Sequence, residues 1–217
     1  MCKSKSSKSK PISNRANVNI AFANIRGLRS NFESVEDYLR TASPHILSPC
    51  ETGLDSCDTT GDLFIPGYFP IITKHDPLNR HGHGLGVYVK EGFPCGRDLS
   101  HEDADSPYMC FRIALLHSTA YIFMLYRPQD DGCQVFESIA SQIDKIQVDY
   151  PSASIHICGD FNVHHKEWLV HSNKTDPEGR HCHDFSVAYE LTQIVDSPTC
   201  VPDVAGRYPN LLDLFLT

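Results

Sequence analysis

The chain has 217 residues, 41% of them hydrophobic and 21% charged, with a formal net charge of −8. That size and balance suit one soluble globular domain, and no uninterrupted apolar run approaches the length that spans a bilayer, which excludes a membrane-embedded chain. Without the first ten residues, which carry Lys3, Lys5, Lys8 and Lys10, 15 basic residues face 27 acidic ones; this argues against a general nucleic-acid binder, whose affinity rests on cationic contacts to phosphate.

Those first ten residues lack the apolar stretch that would make them a secretory signal. Residues 1–16 read as a disordered basic tail, a solvated run being the commoner meaning of such lysines than nucleic-acid contact or an import signal, and residues 17–217 read as the folded domain. Nine cysteines are odd in number, scattered and without a Cys-x-x-Cys pair, which argues against a disulfide framework and a structural zinc site and for a reducing, intracellular setting.

In chain order, Val18, Ile20 and Phe22 alternate with smaller or polar residues and predict a strand ending at Asn24, with Arg26-Gly27-Leu28 as a turn. Phe32, Val35, Tyr38 and Leu39 follow helical spacing over residues 31–42, and Pro44 stops the helix. A short buried strand over 45–48 ends near Glu51. Strands are expected at 63–65 and 69–73 around a Pro66-Gly67 turn. A Gly-rich loop over 76–86 then leads into a strand at Val87-Tyr88-Val89. Strands at 109–116 and 120–126 flank a tight hairpin. The strongest helix runs over 134–148, where Val135, Ile139, Ile143 and Ile146 share one face. A strand at 154–158, a polar loop containing Trp168, a helix near 181–191 and an apolar run over 211–216 complete the pattern. Mixed strands and helices with several strands in succession fit an α/β sandwich rather than a Rossmann fold or a regular barrel.

The strand Ile155-His156-Ile157-Cys158 delivers Gly159-Asp160-Phe161-Asn162, a carboxylate and a carboxamide within three residues. Glycine permits a close turn, after which Asp and Asn are able to bind a metal or orient water; an ordinary Asx turn accounts for the same residues equally well. Asn24 and Glu51 also stand at strand ends. Asp213 interrupts the last apolar run, where a charge needs a partner or a metal. Together they offer oxygen ligands of the kind a hard cation such as Mg²⁺ takes.

Asn24-Ile25-Arg26-Gly27-Leu28, Glu51-Thr52, Tyr126-Arg127-Pro128, Gly159-Asp160-Phe161-Asn162 and Leu212-Asp213-Leu214 stand in the order of the endonuclease/exonuclease/phosphatase superfamily. The chain resembles, within it, the apurinic-endonuclease-like domain that precedes the reverse transcriptase in non-LTR retrotransposons; Val163-His164-His165 with Trp168, Gly179-Arg180 and Ser197-Pro198-Thr199 add to the likeness. The resemblance implies a four-layered α/β sandwich, two packed mixed β-sheets flanked by helices, of the DNase I-like kind. It implies Mg²⁺, with Mn²⁺ as an alternative, held by Glu51 and Asn24. Asp160 would orient or deprotonate the attacking water, Asn162 and Tyr126 would hold the phosphate, and Asp213 would orient a histidine. The implied activity is nicking of DNA by an intracellular, nuclear enzyme with a reverse-transcriptase domain downstream and no membrane partner. RNA or small phosphoesters are alternative substrates.

The family's terminal Ser-Asp-His motif lies beyond the strand holding Asp213 and does not occur before Thr217, so the expectation is a domain truncated at its C-terminus with the last strand missing. An inactive relic that keeps the fold as a binding module is the competing reading. His183-Asp184 falls on a predicted helix and reads as surface. His164 and His165 are not assumed to replace the missing histidine; His81-Gly82-His83, in a Gly-rich loop, reads as solvent-exposed, and His181-Cys182-His183 lacks the second ligand pair of a zinc site.

Overall fold

The computed structural model describes residues 17–78, 80–201 and 209–217; the basic tail at 1–16 lies outside them. Its strands are β1 (Ile20–Asn24), β2 (Ile46–Cys50), β3 (Ile72–Lys74), β4 (Leu85–Val89), β5 (Cys95–Arg97), β6 (Tyr108–Ala114), β7 (Thr119–Tyr126), β8 (Ser154–Asp160) and β9 (Asp213–Leu216). The helices are α1 (Phe32–Thr41), α2 (Gln134–Asp149) and α3 (Pro177–Ala188). One sheet has the order β1-β2-β4-β3 and the other β5-β6-β7-β8-β9. The β1–β2 and β7–β8 pairs are parallel and the other pairs antiparallel.

Alternation along the strands sorts the side chains into layers. Ile46, Cys50, Leu85 and Val87 of the first sheet meet Met109, Phe111, Ile122 and Met124 of the second in a core between the sheets. Val35 and Leu39 of α1 pack with Leu47 and Tyr88 on the outer face of the first sheet. On the outer face of the second, Val135, Ile139, Ile143 and Ile146 of α2 join Cys182 and Phe185 of α3 against Tyr121, Phe123, Ile155 and Ile157. Burying each such aliphatic side chain contributes roughly 1.5–3 kcal/mol, so the one-sided face of α2 is sufficient to dock it. The result is the α/β sandwich that the pattern predicts, in the four layers that the resemblance implies: a helix, two mixed sheets and two helices.

Three local expectations are corrected. Residues 61–63 form a short 3-10 turn rather than leading a strand; Leu63 and Ile65 are buried against the α1 layer, so their alternation serves packing without a ladder. The third helix begins at Pro177, four residues before the predicted start, because Asp176 caps it, its carboxylate accepting from the Gly179 N–H at 2.7 Å with proline in the first turn. It also ends earlier, with Glu190 in a left-handed conformation beyond it (φ 54°).

The third correction concerns Gly159, which is not a turn residue but the sixth residue of β8. A Cβ there would lie 1.8 Å from the carbonyl oxygen of Leu125, its partner on β7. Glycine is required because the two backbones touch. Gly159→Ala is expected to destabilise the chain by about 3 kcal/mol or more, read as a fall in the urea midpoint; a midpoint equal to that of the parent chain would show that the strands part without penalty.

Candidate active site

The sheet register brings five strand ends together. Asn24 closes β1 opposite Cys50, so the next residue, Glu51, stands beside it. Tyr126 closes β7 opposite Asp160, and Asp160 is paired on its other side with Asp213, the first residue of β9. Because β1 and β8 are in contact across the two sheets, the two groups face one another. The Asn24 side-chain Nδ2 donates to Glu51 Oε1 at 2.7 Å and to Asp160 Oδ2 at 3.4 Å, and the Tyr126 hydroxyl lies 3.5 Å from the same Glu51 oxygen. Asn24, Glu51, Asp160 and Asp213, with Asn162 and Arg26, line a cleft of about 720 Å³ together with Phe22, Leu214 and Phe215; Tyr126 is not among its lining residues, and its hydroxyl reaches the cleft's edge at Glu51. The sequence-predicted residues Asn24, Glu51, Tyr126, Asp160, Asn162 and Asp213 are thus brought to one place.

The cleft concentrates negative charge. Asp160 is 4% exposed, and its carboxyl is pushed up to about 7, first by burial and then by the neighbouring Asp213, against the opposing hydrogen bonds from Asn24 and the Asn162 N–H. Burial likewise raises the Asp213 carboxyl, with Thr199 opposing and Glu51 adding to the rise. The Tyr126 phenol is held far above its ordinary range by burial and by Glu51, so it is a donor at any physiological pH. Among the described residues, no ion pair joins a lysine, arginine or histidine to Glu51, Asp160 or Asp213.

The donor set is all oxygen and amide, as hard cations require. Among the described residues, no three His, Cys, Asp or Glu side chains stand in coordinating geometry, so a metal here would draw one carboxylate and one carboxamide from the protein and fill its shell with water and substrate oxygens, the habit of Mg²⁺. The Asn24 amide presents its NH₂ group to both carboxylates, in the place where a cation would neutralise them. Its Oδ1 instead accepts from the Arg26 N–H at 3.3 Å. Rotation of that amide would turn the oxygen inward, towards the space between the two carboxylates.

Backbone strain clusters at the same place. Arg26, Glu51 and Asn162 are all in the left-handed region, with φ of 47°, 50° and 48°. Such conformations disfavour side chains and persist where surrounding structure imposes them. Here the loop after β1 hydrogen-bonds along the residues after β2, Gly27 N–H to Glu51 O at 2.7 Å and Leu28 N–H to Thr52 O at 2.8 Å.

The histidines lie elsewhere. His165 stacks on His183 at 4.8 Å, with Trp168 edge-on to His183 at 5.3 Å, in a cluster beside α3. His83 meets the Tyr126 ring edge-on at 5.5 Å, with its Nδ1 3.8 Å from Asp76. None of these, nor His164, borders the cleft. Two contributors were not assigned a role from sequence. Thr199 accepts from the backbone N–H groups of Leu212 and Asp213 through its Oγ1, and Arg127 is 1% exposed beneath the turn at 160–162. The legible signal for Arg127 was its place between Tyr126 and Pro128 in a recurrent motif; that for Thr199 was only its Ser-Pro-Thr context.

Residues 120–217 match the family model described as endonuclease-reverse transcriptase. No curated protein matches the chain in sequence. Among solved structures, the endonuclease domain of TRAS1, a telomere-specific non-LTR retrotransposon, is 16% identical with a TM-score of 0.65, covering 92% of this chain and 83% of that one. The AP endonuclease LMAP from Leishmania major is 13% identical with a TM-score of 0.70, covering 97% and 84%. The Xenopus laevis APE2 catalytic domain is 16% identical with a TM-score of 0.66, covering 92% and 82%. The chain has the DNase I-like fold of these endonuclease structures, and its residues 120–217 match the endonuclease-reverse transcriptase family model.

Proposed function

We propose that this chain hydrolyses phosphodiester bonds in DNA with the help of a divalent cation, Mg²⁺ or Mn²⁺, nicking a strand to prime a reverse transcriptase. The observation that carries the proposal is the gathering of Glu51, Asp160 and Asp213 in one cleft, none of them ion-paired to a basic side chain among the described residues, beside a tyrosine hydroxyl and two carboxamides. Bound at Glu51 and Asn24, the cation would act as a Lewis acid on the phosphoryl group. Asp160, which shares the Asn24 amide with Glu51, is placed to take a proton from the attacking water. Asn162 holds its carboxamide at the cleft margin, and the un-ionised Tyr126 has a hydroxyl to donate to a phosphate oxygen. Asp213, whose backbone N–H donates to Thr199 Oγ1, adds its carboxyl to the same cleft. A role in priming would place the protein in the nucleus.

A second reading has its own observation. Among the described residues Asp213 has no hydrogen bond or ion pair with a histidine, so the group expected to stabilise charge on phosphorus is not contributed by these residues. That favours a module that binds nucleic acid without cutting it.

Supercoiled plasmid with Mg²⁺ separates the two. The hydrolytic reading expects nicking that EDTA abolishes and that Asp160→Asn lowers by about 10²–10⁴-fold; plasmid binding with no nicking leaves the binding module. RNA and a small aryl phosphodiester in parallel reactions identify the substrate class.

The charge crowding also predicts a pH dependence. Asp160 titrates near 7 in the folded chain and at about 3.9 unfolded, so between those values the folded state holds more protons. Its stabilising contribution is complete below about 3.9 and is lost as pH rises towards 7. Metal-free protein should therefore show a falling Tm between pH 5 and pH 8. Added Mg²⁺ should restore it at the upper end, and Asp160→Asn should flatten the profile; a rising Tm across this window contradicts the assignment.

A further inference from the structure

We infer that Arg127 is a positioning residue for Asp160 and Asn162, acting through the main chain of the turn between them; the inference rests on the hydrolytic reading of that site. Arg127 is 1% exposed and has no ion-pair partner among the described residues. A guanidinium taken out of water without a carboxylate is costly unless its donors are satisfied. Here they are satisfied by main-chain oxygens. Nε donates to Phe161 O at 2.7 Å, Nη2 to Asn162 O at 2.6 Å and Nη1 to Asp131 O.

The main chain of Arg127 completes the clasp. Its N–H donates to Asp160 O at 2.9 Å and its carbonyl accepts from Asn162 Nδ2 at 2.9 Å. Every residue from Asp160 to Asn162 therefore has its carbonyl held by Arg127, and Asn162 is held at both its backbone and its side chain. This accounts for the left-handed Asn162, whose φ of 48° would otherwise relax. It also directs the carboxamide: with one N–H of the Asn162 amide committed to Arg127 O, the other is free to meet a phosphate oxygen at the cleft margin. In turn, Asn162 N–H donates to Asp160 Oδ1 at 3.2 Å, so the same clasp orients the carboxylate.

The fork geometry is what distinguishes arginine here. Lysine supplies the charge from one nitrogen and cannot reach three carbonyls in fixed directions. Arg127→Lys should therefore lower kcat for plasmid nicking by about 10–100-fold, the loss expected for mispositioned groups, with KM changed less than about threefold, as for an interaction made in the transition state. Adding Asn162→Ala to Arg127→Lys should cost little more than either alone, because both remove one arrangement.

Amide NMR provides a readout independent of turnover. In the parent chain the Asn162 side-chain NH₂ should exchange slowly with solvent, and in Arg127→Lys it should exchange as an exposed amide while the dispersion of the β-sheet resonances is retained. Arg127→Gln serves the same comparison should the lysine variant not fold. Parent-like nicking and unchanged Asn162 amide exchange in a folded variant would overturn the proposal, as would losses that multiply in the double variant. A parent chain that does not nick, combined with loss of the Asn162 protection in Arg127→Lys, overturns the hydrolytic reading and leaves the positioning role standing.

Discussion

Backbone contact between β7 and β8 at Leu125 and Gly159 sets the geometry of everything that follows. The two parallel strands carry Tyr126 and Asp160 as their terminal residues in register, and β9 adds Asp213 from the other side. A side chain at position 159 would wedge the strands apart one residue before the carboxylate. Moving Asp160 by even a fraction of a strand spacing would carry it away from Asn24 and Glu51, which belong to the other sheet. The close approach inside one sheet is thus the condition for a site made by two.

The electrostatics follow from that closeness. Buried carboxylates normally find a basic partner, and elsewhere in this chain they do: Glu102 pairs with Arg97 and Lys74, and Asp76 with Arg80. At the cleft the neighbours are other carboxylates and an asparagine amide. The protein therefore keeps repulsion at one place while neutralising it at others, a pattern that marks functional groups more often than structural ones.

Much of the fold was legible because its periodicities are strong. The α2 face and the β7 and β8 strands are long, with uninterrupted apolar spacing. The segment at 63–65 misled because burial of alternate residues does not require a ladder, and β5 was invisible because three residues at a sheet edge, Cys95-Gly96-Arg97, carry no period. For the site, each carboxylate could be located at a strand end from the sequence, but their convergence depends on which strands neighbour one another across two sheets, and no local pattern records that. Gly159 was recognised as important for the wrong reason: sequence reveals the absence of a side chain, while only packing reveals what occupies its place. Arg127 was hidden by its charge, since an arginine beside a turn reads as exposed until its carbonyl partners are known.

The left-handed residues Arg26, Glu51 and Asn162 set local backbone strain against the integrity of the cleft. Each occupies a conformation in which glycine would be more comfortable than the side chain present. Replacement by glycine relieves local strain and, at Glu51, also thins the crowd of negative charge, so a chain drifting towards stability has an easy direction to move that dismantles the cleft.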